Sequence, residues 1–340
     1  PPGVALTTTD SVAASMSATP GGDSSATRLL VFGAGAATVG VIELVRRYYV
    51  KRPPALPPGY VVPTAWKYEE GKMGEGSNRP AAGARAEKPL PRGDHAIQLY
   101  SLGTPNGCKV TILLEELNDL KGVEYDAYKI SLKNLDQFGS EFVAVNPNSK
   151  IPAMLDYDVS PPLRVFESGS ILKYIAEKHG AFVPTDPARR VECFNWLFWQ
   201  VGAAPYIGGA GLGYWHRSAP VKVKFAIDRA TIEVKRQLAV LDAHLRDKQF
   251  VCGDEYTIAD MAIWPWVMCL GRWYKASTYL DLPSYAHLQA WYARVDARPA
   301  VQRGIRVNGL GPDQVADRHS RKDFDAAETN KPAGESSTSK

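Results

Sequence analysis

Tyr100-Ser101-Leu102-Gly103-Thr104-Pro105-Asn106-Gly107-Cys108-Lys109-Val110 is the stretch around which the chain is organised. Before it, His95–Leu99 reads as a short apolar strand ending at Tyr100. After it, Lys109–Leu117 repeats apolar residues at helical spacing, with Val110, Ile112, Leu113, Leu114 and Leu117. A strand that turns sharply into a helix leaves the first helical N–H groups unpaired and pointing at whatever occupies the turn. The helix dipole favours negative charge there. Thr104 adds a hydroxyl and Asn106 a carboxamide, both able to donate hydrogen bonds. Such a corner suits a small anion or a thiol held as thiolate. The same residues also describe a plain capped turn, because Thr and Asn are common helix caps.

The 340 residues suffice for two ordinary domains plus tails. A net charge of +4 without a basic, aromatic-interleaved stripe argues against nucleic-acid binding. Cys108, Cys193, Cys252 and Cys269 are scattered, with neither a CxxC pair nor metal-ligand spacing, so no metal site is expected. Free thiols in a reducing compartment account for them. Seven of the eight Trp fall between Trp196 and Trp291 and mark a compact aromatic-rich core there.

Working outward, residues 1–28 are Ala, Ser, Thr, Gly and Pro with few large apolar side chains, a composition that stays disordered. The first residue is Pro rather than Met, which reads as processing or a fragment. A single transmembrane helix is expected over 29–50. Its apolar run, Leu29–Val45, spans about 25 Å at ~1.5 Å per residue. Glu43 falls near its end, Tyr48 and Tyr49 stand where an aromatic belt would be, and Arg46, Arg47, Lys51 and Arg52 follow. Small residues at Gly33/Ala37 and Ala36/Gly40 permit packing on other membrane helices. That implies a subunit of a mitochondrial inner-membrane or thylakoid complex, with the bulk of the chain on the matrix or stromal side. A buried amphipathic helix, the apolar part of a targeting peptide, and a soluble cytoplasmic protein are the competing readings.

Residues 51–94 read as a Pro-rich linker and a loose polar arm. Residues 95–183 alternate strand and helix. Gly122–Ile130 reads as a strand, Gln137–Val143 as a short helical or irregular piece, and 151–155 with 163–166 as a hairpin. Pro152 fits only an edge or a special peptide geometry. Glu167-Ser168-Gly169-Ser170 opens a helix that Gly180 stops. Residues 184–308 are helical only, with helices expected over 188–201, 219–245, 257–270 and 284–297. Thr257-Ile258-Ala259-Asp260 is a capping-box variant before a buried run. Residues 309–340 read as a polar tail with little core.

A thioredoxin-like α/β unit followed by an all-α domain resembles the glutathione transferase fold. Ile151-Pro152 resembles that family's cis-proline turn, Glu167-Ser168 its γ-glutamyl-binding pair, and Thr257–Asp260 its capping box. Thr104-Pro105-Asn106-Gly107 is similar to the Nu-class group, bacterial glutathione-dependent disulfide-bond oxidoreductases. So are Ser77-Asn78-Arg79-Pro80, the stretches 146–152 and 164–171, Asn195-Trp196-Leu197-Phe198-Trp199, and 253–266. The likeness runs from about Pro54 to Asp325. Two departures are Cys108 in the first helical turn and the pattern Trp215-His216-Arg217-Ser218.

The resemblance implies a homodimer that binds glutathione as cosubstrate. It assigns Glu167 to the ligand ammonium, and Ser168 with the N–H groups around Gly169 to the γ-glutamyl carboxylate. The backbone of Ile151 before Pro152 takes the cysteinyl unit, and Gln137 and Lys150 the glycyl end. Asn106 first and Thr104 second hold the thiolate, while Asn78 and Arg229 bind a second glutathione. Tyr100, ending the first strand, and Cys108, a thiol at a helix N-terminus, are minor catalytic candidates. Two functions follow: a glutathione-dependent disulfide reductase or transferase tethered to an organelle membrane, or a non-catalytic accessory subunit of a membrane complex.

Overall fold

The computed structural model describes residues 60–68, 80–309 and 313–329. Asn78 and Leu29–Val45, with the rest of 1–59, lie outside these. Among the described residues no helix is long and apolar enough to cross a membrane. Residues 60–68 belong to a unit of their own and carry no helix or strand, with the Trp66 and Tyr68 rings 6.2 Å apart.

The second unit begins with a four-stranded sheet ordered β2-β1-β3-β4. Its strands are β1 (Ile97–Ser101), β2 (Asp126–Lys129), β3 (Ala153–Asp156) and β4 (Leu163–Phe166). β1 pairs parallel with β2 and antiparallel with β3, and β3 pairs antiparallel with β4. Alternate side chains leave opposite faces of a strand. Leu99, Ala127 and Met154 therefore face α1 (Pro105–Lys121) and α3 (Ser168–His179). Tyr100, Tyr128 and Ala153 face Phe142 and Val145 of α2 (Ser140–Val145). With both faces covered, β1 is buried throughout.

The helical part contains α4 (Pro187–Ile207), α5 (Lys224–His244), α6 (Ile258–Arg272), α7 (Ala286–Asp296) and α8 (Pro299–Gly304). α6 is buried from Ile258 to Leu270 and forms the axis of this half. Thr257 Oγ1 accepts from Ala259 N–H at 3.3 Å, and Asp260 Oδ2 accepts from Thr257 N–H at 2.9 Å. Asp260 also accepts from Val251 N–H and Trp291 Nε1, each at 2.8 Å, so the cap ties α6 to α7.

Three differences from the sequence reading have physical causes. α4 continues past Val201 through Pro205, because Ala203, Ala204 and Ile207 are buried and packing outweighs the local breakers. α5 starts at Lys224 rather than Ala219. Pro220 holds Ala219 extended, and a π-helical turn, Gly213–Ser218, precedes it.

The third difference concerns the two segments read as loose. Residues 80–94 are an arm docked on the sheet: Arg85 lies 3.4 Å over the Phe138 ring, and Ala86 bridges Gly139. The expected polar tail after residue 309 contains a packed strap that ends in α9 (Lys322–Thr329). Val315 and Phe324 are buried, and Arg318 pairs its backbone with Ala127 across the outer edge of β2. The Arg318 guanidinium is fully buried on the Tyr125 ring, donates to Glu115 at 3.2 Å and forms an ion pair with Glu124 at 2.6 Å. A buried arginine with carboxylate partners, helped by His319 on Asp126 and Arg321 on Asp119, thus anchors a stretch that composition alone reads as tail.

Candidate functional site

The β1–α1 turn, the 146–152 loop and the start of α3 meet around a cleft of about 480 Å³. Thr104, Asn106, Gln137, Lys150, Ile151, Pro152, Glu167 and Ser168 all line it, with Trp266 and Tyr274 on the helical side. Eight of the residues singled out in sequence therefore converge on one place.

The turn is built for close packing. Thr104 is the N-cap of α1, its Oγ1 accepting from Gly107 N–H at 3.3 Å. A Cβ on Gly107 would sit 2.0 Å from Leu102 O, so only glycine fits. A capping hydroxyl that accepts from the backbone keeps its own proton, which is free to donate into the cleft. Asn106 is fixed from the other side: Trp266 Nε1 donates to its Oδ1 at 3.1 Å. That contact assigns the carboxamide, because its oxygen is engaged and its NH2 is left for the cleft. Two donors therefore flank the mouth of the turn beside the N–H groups of α1, an arrangement that stabilises a thiolate without accepting its proton.

Ile151 and Pro152 are joined by a cis peptide bond at the cleft wall. The loop before them is tied by Asn146, which donates to Lys150 O at 2.6 Å and accepts from Asn148 N–H at 2.9 Å. Gln137 is buried at the cleft floor, and its Oε1 has no hydrogen-bond partner among the described residues. A buried amide oxygen left unpaired is costly, and a bound polar ligand would relieve it. Lys150 is exposed at the rim.

Glu167 stands at the N-cap of α3 with φ 68° and ψ 121°, a conformation few non-glycine residues adopt. Such strain recurs at ligand sites, and here it carries an acid to the start of a helix whose N–H groups favour an anion. Ser168 is buried beside it and lines the cleft. Gly169 follows, and a Cβ there would meet Val201 Cγ2 at 2.9 Å, so the glycine lets α3 approach α4. An acid for an ammonium and a helix N-terminus with a serine for a carboxylate together match an α-amino acid headgroup.

Neither of the two minor catalytic candidates lines the cleft. Cys108 is fully buried, and burial, with Cys269 close by, pushes its thiol up to about 12. The lowering expected of a thiol at a helix start is overridden because the sulfur points into the core instead of the turn. Tyr100 is 1% exposed and donates to Pro91 O at 2.8 Å; burial raises its phenol far above the usual range. It is a packing residue of the sheet. Arg229 stands exposed on α5 and does not line the cleft.

Sequence reasoning missed Trp266, 160 positions from its partner Asn106, and Lys109. Lys109 lies directly beneath the cleft, 99% buried, donating to Ser168 Oγ at 3.2 Å and to Gln200 Oε1 of α4. A signal for Lys109 existed: it occupies a helical position flanked by the wholly buried Cys108, Val110, Ile112 and Leu113, where a lysine is out of pattern. Among the described residues no group of His, Cys, Asp and Glu could hold a metal ion.

A sheet of this topology with a cis-proline at the cleft wall defines a thioredoxin-like domain, joined here to a helical one. The chain belongs to the glutathione transferase family. Its N-terminal domain model matches residues 95–177 and its C-terminal domain model residues 224–294. The chain is 54% identical over 276 residues to the disulfide-bond oxidoreductase YghU of Escherichia coli, covering 79% of this chain and 96% of the relative. It is 37% identical to the disulfide-bond oxidoreductase YfcG of the same organism, covering 64% of this chain and 98% of that one. Among solved structures, the YghU glutathione transferase of Streptococcus pneumoniae, complexed with glutathione, is 51% identical with a TM-score of 0.69, over 73% of this chain and 97% of that one. A Pseudomonas putida glutathione transferase with one glutathione disulfide bound per subunit is 42% identical with a TM-score of 0.59, over 62% and 91%.

Proposed function

We propose that the protein is a glutathione-dependent disulfide-bond reductase that works without a protein thiol. The observation that carries this reading is the Asn106 carboxamide, held by Trp266 so that its donor faces the cleft beside Thr104. A thiol of ordinary pKa, about 8.5, is mostly protonated at neutral pH. Donors at the helix start lower that value for a bound glutathione. Its thiolate attacks one sulfur of a disulfide RSSR, giving the mixed disulfide RSSG and releasing RS⁻. A second glutathione thiolate attacks the glutathionyl sulfur of RSSG, giving glutathione disulfide and a second RS⁻. The balance is RSSR plus two glutathiones to two RSH plus one glutathione disulfide, and Cys108 takes no part. The names of YghU and YfcG and the glutathione disulfide seen in the Pseudomonas protein support the same chemistry. Turnover of 2-hydroxyethyl disulfide with glutathione tests it. Binding of glutathione without turnover would favour the accessory-subunit reading instead.

Glu167 takes the ligand ammonium in this reading, Ser168 and the α3 N-terminus the γ-glutamyl carboxylate, and Gln137 and Lys150 the glycyl end. Arg229 and Asn78 contribute to the second glutathione. A homodimer is part of the proposal: Val191, Phe198 and Val201 on α4, and Phe225 and Ile232 on α5, are large apolar side chains left exposed at one-face spacing. Sedimentation at micromolar concentration checks it. Leu29–Val45 is proposed to tether the protein to an organelle membrane, and extraction of membranes with carbonate tests that.

A further inference from the structure

Lys109 is set where an ammonium is expensive. It lies in the second turn of α1 with 1% of its surface exposed, and both oxygens it donates to, Ser168 Oγ and Gln200 Oε1, are neutral. Glu167 is the acid whose charge acts on it, without a direct ion pair. An ammonium taken out of water without a bonded anion carries a large desolvation penalty. Burial accordingly pulls its pKa from 10.5 down to about 7. Gln200, its neighbour on α4, has a buried Nε2 with no partner among the described residues. The chain by itself thus gives this positive charge no bonded anion.

Ser168 shows where the charge is directed. Its hydroxyl has one proton and two lone pairs, whereas an ammonium has donors only. With Lys109 donating to Oγ from below, the serine proton must leave in another direction. Ser168 lines the cleft, so the open direction is toward bound ligand.

The geometry points to Lys109 as a positioning residue for the γ-glutamyl carboxylate of glutathione: its ammonium turns the Ser168 proton into the cleft and neutralises the carboxylate through that hydroxyl. This rests on the glutathione reading above. Lys109 does not touch the ligand. A neutral Lys109 amine gains a lone pair that can accept the Ser168 proton, so the serine is held as a donor to ligand only while Lys109 is charged. The groups facing Lys109 are Glu167 and Ser168 from α3 and Gln200 from α4, and Glu167 is the charged one among them.

Calorimetry on the full chain with two ligands tests this. One is S-methylglutathione, which has no thiol proton to confuse the titration. The other is its analogue with 4-aminobutyrate replacing the γ-glutamyl unit, which lacks only that carboxylate. The wild type is expected to prefer the first ligand, and the preference to shrink about eightfold from pH 6.5 to 8.0 as Lys109 loses its proton. In Lys109→Met the preference should be small and flat with pH. A pH-independent preference in the wild type would overturn the inference whether or not the variant folds. The same pH-dependent preference in Lys109→Met would overturn it as well. Failure of the wild type to bind either ligand would instead remove the glutathione reading, and this inference with it.

Discussion

Replacing Asn106 by Ala removes one thing from the cleft, the NH2 donor that Trp266 orients. Removing a preorganised donor to a developing anion costs between ~2.7 and 4 kcal/mol in other enzymes. Asn106 is half-buried at the mouth of an open cleft, where water can partly replace the lost donor, so the lower end applies. About 2.7 kcal/mol is roughly a 100-fold loss in kcat/KM. Trp266→Phe leaves the carboxamide present but free to turn, a loss of about one net hydrogen bond, ~1 kcal/mol, or roughly fivefold. Asn106→Asp keeps the acceptor for Trp266 but sets a carboxylate beside the thiolate. At ~4 Å and an effective dielectric of ~20 that repulsion is worth ~4 kcal/mol, so Asp should be worse than Ala, and its pH–rate profile should move upward. The assay is reduction of 2-hydroxyethyl disulfide by glutathione, coupled to glutathione reductase, across pH 6–9. Tyr100→Phe serves as the control and should change the rate by less than about twofold, because its hydroxyl bonds Pro91 away from the cleft. The reasoning would be refuted by a loss of under fivefold in Asn106→Ala, or by a Tyr100→Phe enzyme slower than it.

Cys108→Ala should leave turnover within about twofold while lowering stability in urea by ~1–2 kcal/mol, since it empties part of a fully packed site; an inactive but folded variant would return the thiol to the mechanism. Asp260→Ala orphans the N–H groups of Val251, Thr257 and Trp291 at once, and a loss of more than ~3 kcal/mol in equilibrium unfolding is expected. Arg318→Met takes a buried cation from Glu115 and should cost on the order of 3 kcal/mol by the same measurement. Lys109 makes a pH prediction for the ligand-free chain. Its folded pKa, about 7, lies below the unfolded value near 10.5, so between those values the unfolded state holds the extra proton. Stability of the wild type relative to Lys109→Met should therefore rise from pH 7 toward 10 and be flat below about 6; a fall over that window would show that the lysine is not buried as described.

The sequence carried the site further than the packing around it. Thr104, Pro105, Asn106 and Gly107 are a local motif whose roles as cap, N1 residue, donor and close contact need only a few neighbouring residues, so the turn could be read before the fold. The same holds for Thr257 with Asp260 and for Ile151 with Pro152. Lys109 could not be read this way, because its meaning depends on Gln200, 91 positions away, and on burial that helical periodicity alone assigns poorly where a helix is covered all round. Cys108 misled for a related reason. Its place in the first turn suggests a lowered pKa, whereas the direction of its side chain, into the core against Cys269, decides the opposite. The strap after residue 309 has the composition of a tail, yet two apolar residues, one buried arginine and polar contacts from Asp317, His319 and Arg321 dock it.

That strap also sets the order in which the molecule can be finished during synthesis. β2 is an outer strand of the sheet, and its free edge is covered by backbone made about 190 residues later, where Arg318 pairs with Ala127. A ribosome adding ~5–20 residues per second takes on the order of 10–40 s to cover that interval. For that time the nascent N-terminal half presents an open strand edge, and the Tyr125 ring lacks the guanidinium that covers it. An uncovered edge is a template for pairing with another chain. Chains truncated before Arg318 should therefore be the ones that self-associate or recruit chaperones, although every residue lining the cleft is still present in them.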